Sequence, residues 1–179
     1  MNKVDPIFLK SIRDKLTVYP NWPVTGVNFL DTVALCRDPS TFHATVHWFN
    51  SIAASLDVDA IFAADALGFL WATPTAYHMS IPLHVVRKIG KLPGKVHQYT
   101  FENDSIEVAD MKTPIGSIMI IDDVLASGGT AEAICNLLHT KLDIPYHSMT
   151  LAVLLSIKSL NGKERVKELG VNVLSLIDE

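Results

Sequence analysis

Apolar residues recur along this chain in two rhythms. One has the spacing of an amphipathic helix, and the other is the short unbroken run of a buried strand. Asp5-Pro6 supplies a cap and a first-turn proline, and Ile7, Phe8, Ile12 and Leu16 then share one helical face. Residues 19–32 lose the rhythm at Pro20, Pro23 and Gly26 and read as irregular. Asp38-Pro39 repeats the start signal, and Phe42, Val46, Phe49 and Ile52 give a second amphipathic helix. From there strands and helices alternate: strands over 60–64, 82–86, 117–121, 149–155 and 171–176, and helices over 68–79, 130–141 and 162–169. Residues 88–105 are polar and too long for an ordinary connector, and their second half predicts a hairpin turning at Asn103-Asp104. The alternation predicts an α/β fold whose central sheet is mostly parallel, with helices on both faces.

Composition narrows the classes. The chain has 179 residues, 49% hydrophobic and 19% charged, which suits one domain with a real core and excludes a disordered or low-complexity chain. A net charge of −4 argues against a broad nucleic-acid-binding face. No apolar run approaches the roughly 20 residues of a membrane helix. The N-terminal stretch carries Asp5 and Asp14 and is not expected to act as a signal peptide. Two cysteines, Cys36 and Cys135, are too few for a disulfide scaffold, so a reducing cytoplasm is expected.

Ligands of parallel sheets bind beyond the carboxyl ends of the strands. The apolar run at 117–121 leads into Asp122, Asp123, Val124, Leu125, Ala126, Ser127, Gly128, Gly129 and Thr130, followed by a helix. Two carboxylates at a strand end accept hydrogen bonds from a vicinal diol. The small residues let successive backbone N–H groups close round an anion at the helix N-terminus. Diol acceptors beside a phosphate cradle match a ribose 5-phosphate. The lysine of a Walker A loop is missing.

This string resembles the phosphoribosyl-pyrophosphate (PRPP) motif of the type I phosphoribosyltransferases. Residues 87–94, Arg-Lys-Ile-Gly-Lys-Leu-Pro-Gly, look like the "RKxGKLPG" segment of the adenine-specific branch of that family. Residues 19–31 are similar to its "FPDFPxPGVxFRD" opening, Asp65 to Phe69 to its "DSRGF", and residues 160–163 to its "SLKGR".

The resemblance implies the type I phosphoribosyltransferase fold in a single domain over 1–179. It would have an N-terminal helix and base-binding hood (1–35), a mobile catalytic hairpin loop (88–105) and the PRPP-binding motif (118–130). It implies Mg2+-dependent transfer of 5-phosphoribose from PRPP to a purine base, releasing pyrophosphate and a nucleoside monophosphate; with adenine the product is AMP. Asp122 and Asp123 would hold the ribose hydroxyls, and Ala126, Ser127, Gly128, Gly129 and Thr130 the 5-phosphate. Arg87, Lys88 and Lys91 would face pyrophosphate. Asn28 and Leu30 would meet the base, largely through main-chain groups. Glu102 would assist protonation of the purine beneath a closed loop. Mg2+ would be held mainly by substrate and water. The resemblance further implies a homodimer, with Trp48 or the N-terminal segment as contact surface; the charge, the short apolar runs and the two cysteines predict a cytoplasmic protein with no nucleic-acid or membrane partner.

The chain departs from the family pattern at two arginines, replaced by Leu30 and Leu67, and the residues after Glu102 differ and are fewer. Two alternatives therefore stay open: the same reaction on hypoxanthine, guanine or xanthine, or a PRPP- or nucleotide-binding regulator with weakened catalysis. Other signals carry less. His43 and His47 lack the glutamate of a zincin pattern and read as an exposed or core-edge pair. Trp22, Trp48 and Trp71 read as core or interface residues. Ser127 does not sit in a G-x-S-x-G elbow. The charges from Lys163 to Glu168 read as a solvated helix face.

Overall fold

In the computed structural model, residues 5–102, 104–111 and 116–179 are described. The first helix, α1 (Pro6–Arg13), starts where Asp5 Oδ1 accepts the N–H of Ile7 at 2.9 Å. The next helix, α2 (Pro39–Leu56), starts the same way, with Asp38 Oδ1 accepting the N–H of Thr41 at 2.8 Å. Between them, strands β1 (Thr17–Pro20) and β2 (Asn28–Asp31) pair antiparallel, Thr17 opposite Asp31 and Pro20 opposite Asn28. The irregular segment expected over 19–32 is thus half right. All four residues of β1 are exposed, so no buried-polar alternation marks it. Trp22 and Phe29, with ring centroids 4.5 Å apart, close the ribbon instead.

The remaining chain builds one seven-stranded sheet. Its elements are β3 (Ala60–Ala64), α3 (Gly68–Met79), β4 (Leu83–Lys88), β5 (Val96–Phe101), β6 (Asp104–Ala109), β7 (Ile118–Leu125), α4 (Gly129–Leu142), β8 (Met149–Ser156), α5 (Gly162–Lys167) and β9 (Asn172–Asp178). The strand order is β5-β6-β4-β3-β7-β8-β9. Strands β4, β3, β7, β8 and β9 run parallel, and the β5–β6 hairpin pairs antiparallel with β4 at one edge. This is the expected α/β architecture. The hairpin is present too, with Phe101 opposite Asp104; of the turn expected at Asn103-Asp104, Asn103 lies outside the described residues.

Alternation across the sheet divides the core. Phe62, Ile118, Ile120, Leu151 and Val153 pack with α4 and α5, whereas Ile61, Met119, Ile121 and Leu154 pack with Ile12, Phe49, Ile52 and Trp71 from α1 to α3. Helices therefore cover both faces, and β3, β7 and β8 read as continuous apolar runs because neither face meets water. Trp48 is only 6% exposed and sits edge-on to Phe49. It belongs to the core, which corrects its reading as a contact surface. Trp71 is also buried, while Trp22 is 53% exposed. His43 and His47 are exposed on α2. Among the described residues, no helix is long and apolar enough to cross a membrane.

Three boundaries shift in ways that matter for chemistry. Strand β7 continues to Leu125, so Asp122 and Asp123 lie inside it and not beyond its end. Strand β4 continues through Arg87 and Lys88, which places both cations on the rigid sheet and not in the connecting loop. The polar segment expected to end at 105 contains β5 and runs on as β6 to Ala109.

Candidate active site

The carboxyl ends of β3, β4 and β7 lie side by side on one edge of the sheet, and they carry Asp65, Arg87, Lys88, Asp122 and Asp123. From β7 the chain passes through Ala126, Ser127 and Gly128 into α4. Gly128 has φ +83°, and no side chain caps the helix. The first-turn N–H groups of α4 thus have no side-chain acceptor and face a cavity of about 120 Å³ lined by Asp122 and by residues from Val124 to Ala131. That is the geometry of an anion cradle.

The cradle depends on a second glycine. A Cβ on Gly162, the first residue of α5, would lie 2.2 Å from the carbonyl oxygen of Ala126 and 2.8 Å from the nitrogen of Gly128. A Cβ on Gly128 would lie 2.9 Å from the Gly162 carbonyl. The two backbones touch directly, and no larger residue fits at either position.

The adjacent carboxylates differ in environment. Asp122 lines the cradle cavity, and its Oδ1 accepts the N–H of Asp123 at 2.9 Å. Burial, reinforced by the Asp123 charge, holds the Asp122 carboxyl well above the ordinary carboxylate pKa. Asp123 instead accepts the hydroxyl of Thr32, 2.7 Å from its Oδ2. Thr32 is fully buried and follows β2, so this bond ties the N-terminal ribbon to β7. On α3, Gly68 lies so close to β7 that a Cβ would fall 2.6 Å from the Ile121 carbonyl.

Two of the three cations expected at this edge, Arg87 and Lys88, are held in ion pairs. Arg87 Nε donates to Asp65 Oδ2 at 3.1 Å, and the guanidinium lies 5.8 Å from the centre of the Phe69 ring. Lys88 Nζ pairs with Asp104 Oδ2 at 3.0 Å across to β6. Lys91 is exposed, and its backbone N–H, like that of Leu92, donates to Oε1 of Glu107 at 2.8 Å. Glu107 is 1% exposed on β6. Burial pushes its carboxyl up, but hydrogen bonds from Leu92, Gly90, Lys91 and Gln98 outweigh that and hold it below the usual range. A buried ionised carboxylate thus pins the start of the 90–95 connection.

At the hairpin tip, Glu102 has φ +48° and is exposed. Its Oε1 lies 3.6 Å from Nη2 of Arg165 and 3.5 Å from the position of a Cβ on Gly129. Arg165 is anchored by Glu132, in the first turn of α4, through Nε and the same Nη2. Lys163 donates to Ser175 Oγ and Asp178. The 163–168 charges are therefore not simply a solvated face: Lys163 and Arg165 are half-buried in ion pairs. In the ribbon, Asn28 is exposed, and Leu30 packs its side chain against the core. The opposite side of β2 opens on a cavity of about 360 Å³ walled by Tyr19, Trp22, Phe29 and Val33, with Asp31 and Arg37 at its margin.

The fold brings Asp122 and residues 126–130 to one cavity, with Arg87 on the same edge of the sheet and Glu102 over the start of α4. Gly162 falls in the family-like Leu-Asn-Gly-Lys string; Thr32, Glu107 and Arg165, which the fold brings beside these residues, carry no motif of their own.

Residues 44–173 match the family described as the phosphoribosyl transferase domain. The adenine phosphoribosyltransferase of Mycoplasmopsis agalactiae is 38% identical over 173 residues, covering 94% of this chain and 96% of that protein. That of Rubrobacter xylanophilus is 34% identical over 175 residues, covering 95% and 92%. Among solved structures, the adenine phosphoribosyltransferase of Thermoanaerobacter pseudethanolicus superposes with a TM-score of 0.85 at 28% identity, covering 96% of this chain and 99% of that one. The Saccharomyces cerevisiae enzyme, solved with an imino-altritol bisphosphate and adenine, gives 0.84 at 26% identity, covering 97% and 100%.

Proposed function

Because this chain belongs to the phosphoribosyltransferase family, we propose that it transfers 5-phosphoribose from PRPP to adenine, forming AMP and pyrophosphate. The observation that carries the reading is the uncapped N-terminus of α4 closing a small cavity beside Asp122, on the sheet edge that also holds Asp65 and Arg87. The naming of its relatives as adenine phosphoribosyltransferases supports adenine as the base.

In this reaction the bond from ribose C1 to the pyrophosphate oxygen breaks, and the bond from C1 to a purine ring nitrogen forms. The backbone N–H groups of residues 126–130 and the hydroxyls of Ser127 and Thr130 bind the 5-phosphate. Asp122 and Asp123 accept the ribose hydroxyls, with Thr32 fixing the orientation of Asp123. Arg87, Lys88 and Lys91 lie towards the departing pyrophosphate. Asp65 neutralises part of the Arg87 charge and fixes its direction. The ribbon receives the base: Leu30 can offer it only main-chain groups, the exposed Asn28 lies on the same strand face as Leu30, and Phe29 walls the cavity on the other face. Glu102 accepts the proton that the purine gives up as its ring nitrogen bonds to C1, and returns it to the purine in the reverse direction, while the hairpin shields the cation-like sugar from water.

Two adjacent carboxylates beside a phosphate-sized cavity would suit a hard, oxygen-ligated cation such as Mg2+. Asp122 and Asp123 are the carboxylates a hydrated, substrate-bound Mg2+ would meet. When bound, the ion supplies neutralisation of the charge developing on pyrophosphate. The unpaired cysteines, Cys36 and Cys135, support a cytoplasmic setting, and the family resemblance supports a homodimer.

The test is an assay with PRPP and Mg2+ against adenine, hypoxanthine, guanine and xanthine. AMP from adenine is expected, and Glu102→Gln should lower kcat by about 10²-fold or more. Product from another base alone would reassign the substrate. Tight PRPP binding by calorimetry without turnover on any base would make the chain a regulator.

A further inference from the structure

Two acidic side chains compete for one guanidinium at the mouth of the cradle. Arg165 on α5 is held by Glu132 of α4 through Nε and Nη2. The same guanidinium faces Glu102 Oε1 from Nη2, at 3.6 Å. The position of a Cβ on Gly129 lies 3.5 Å from Glu102 Oε1 and 3.6 Å from Arg165 Nη1, so both heads converge over the first residue of α4. A carboxylate there benefits from the positive end of the helix, as a phosphate would. The hairpin is tethered above this point. Tyr99 and Phe101 of β5 pack against the α4 side of the core, and the Lys88–Asp104 pair crosses to β4.

We propose that Arg165 is a positioning residue that holds Glu102 at the mouth of the cradle while the cradle is empty and surrenders it when a phosphate monoester binds. The argument is one of charge. Glu102, Glu132 and Arg165 together carry one net negative charge over the helix N-terminus. An arriving phosphate is repelled by Glu102 and attracted by Arg165, and it occupies the N–H groups that favour a carboxylate at this point. The long 3.6 Å contact is the weakest in the cluster and the one that yields; Arg165 stays anchored by Glu132. Glu102 then leaves the cradle mouth on its hairpin and becomes free to reach the base. Sugar-phosphate binding thereby releases the group that handles the purine proton. This inference rests on reading residues 126–130 as the phosphate cradle and Glu102 as the proton-handling group.

The experiment uses ribose 5-phosphate as probe, with amide hydrogen exchange at Phe101 and Asp104 and calorimetry on the same samples. In the wild-type protein, saturating ribose 5-phosphate should speed exchange at the hairpin tip several-fold. In Arg165→Gln, exchange should already be fast without ligand and should not change on adding it. KM for PRPP should rise about tenfold in that variant while kcat stays within about threefold. Arg165→Lys should recover part of the ligand response. If ribose 5-phosphate binds and AMP is formed, yet hairpin exchange ignores the ligand or Arg165→Gln behaves as wild type, this proposal falls alone. If ribose 5-phosphate does not bind at all, the cradle reading falls and takes this proposal with it.

Discussion

The hydroxyl of Thr32 donates to Oδ2 of Asp123 at 2.7 Å, joining residues 91 positions apart in the chain. One bond thereby aligns the ribbon proposed to receive the base with the strand proposed to hold the ribose. Thr32→Val keeps the shape and removes the donor. We expect a stability loss of about 1–2 kcal/mol by urea unfolding, since the acceptor is a half-buried carboxylate. We also expect KM to rise for both substrates, because the two subsites lose their alignment. Unchanged kinetics in a folded variant would dissociate this bond from catalysis.

Gly162→Ala tests the backbone contact behind the cradle. Its Cβ would fall 2.2 Å from the Ala126 carbonyl oxygen, so the 126–128 turn or α5 must shift. Overpacking of this kind costs about 1–3 kcal/mol. Because the displaced atoms form the cradle, KM for PRPP should rise by about tenfold, more than KM for adenine. Equal increases in both would contradict the local account.

Asp122 gives a pH signature. Burial and the neighbouring Asp123 raise its carboxyl pKa above the unfolded value, so the folded state binds the proton more tightly than the unfolded chain does. That contribution to stability is fully present below the ordinary carboxylate pKa of about 4, and it is lost as pH rises through the raised value. Asp122→Asn removes the cost of the buried charge. It should raise Tm near pH 8, with the gain shrinking towards pH 4, while abolishing activity. A Tm difference independent of pH would argue against the raised carboxyl.

Leu67 precedes α3 where the family resemblance has an arginine, and Asp65 already engages Arg87. An arginine at this position would restore a planar, bidentate cation beside the proposed pyrophosphate subsite. Leu67→Arg should lower KM for PRPP by about tenfold, consistent with a charge-assisted contact of about 1.5–3 kcal/mol. An unchanged KM would mean that residue 67 does not reach pyrophosphate.

Much of the architecture was legible in residue order. Unbroken apolar runs such as Ala60–Ala64 report burial on both faces, which implies parallel strands covered by helices. Caps at Asp5 and Asp38 set two helix starts. The uncapped helix start and its cavity could be anticipated from the string Asp122 to Thr130 because its chemistry is local: small residues, hydroxyls and a helix start, contiguous in the chain. The β1–β2 ribbon stayed hidden because it is exposed and stabilised by the Trp22–Phe29 ring contact, not by a buried face.

Tertiary structure alone decided which side chains complete the site. Thr32 looked like any loop threonine, Glu107 like a strand polar residue, and Arg165 like one charge among several on a short helix. Each gains its role from a partner on another element: Asp123, the backbone of Lys91 and Leu92, and the pair Glu132 and Glu102. Periodicity in a sequence reports which face of an element avoids water. It carries no record of which polar group from a distant element will arrive there, because that depends on how the packed layers close. The sequence by itself thus determines the layered sheet and the small-residue turn at its edge, and the fold decides which charges surround that turn.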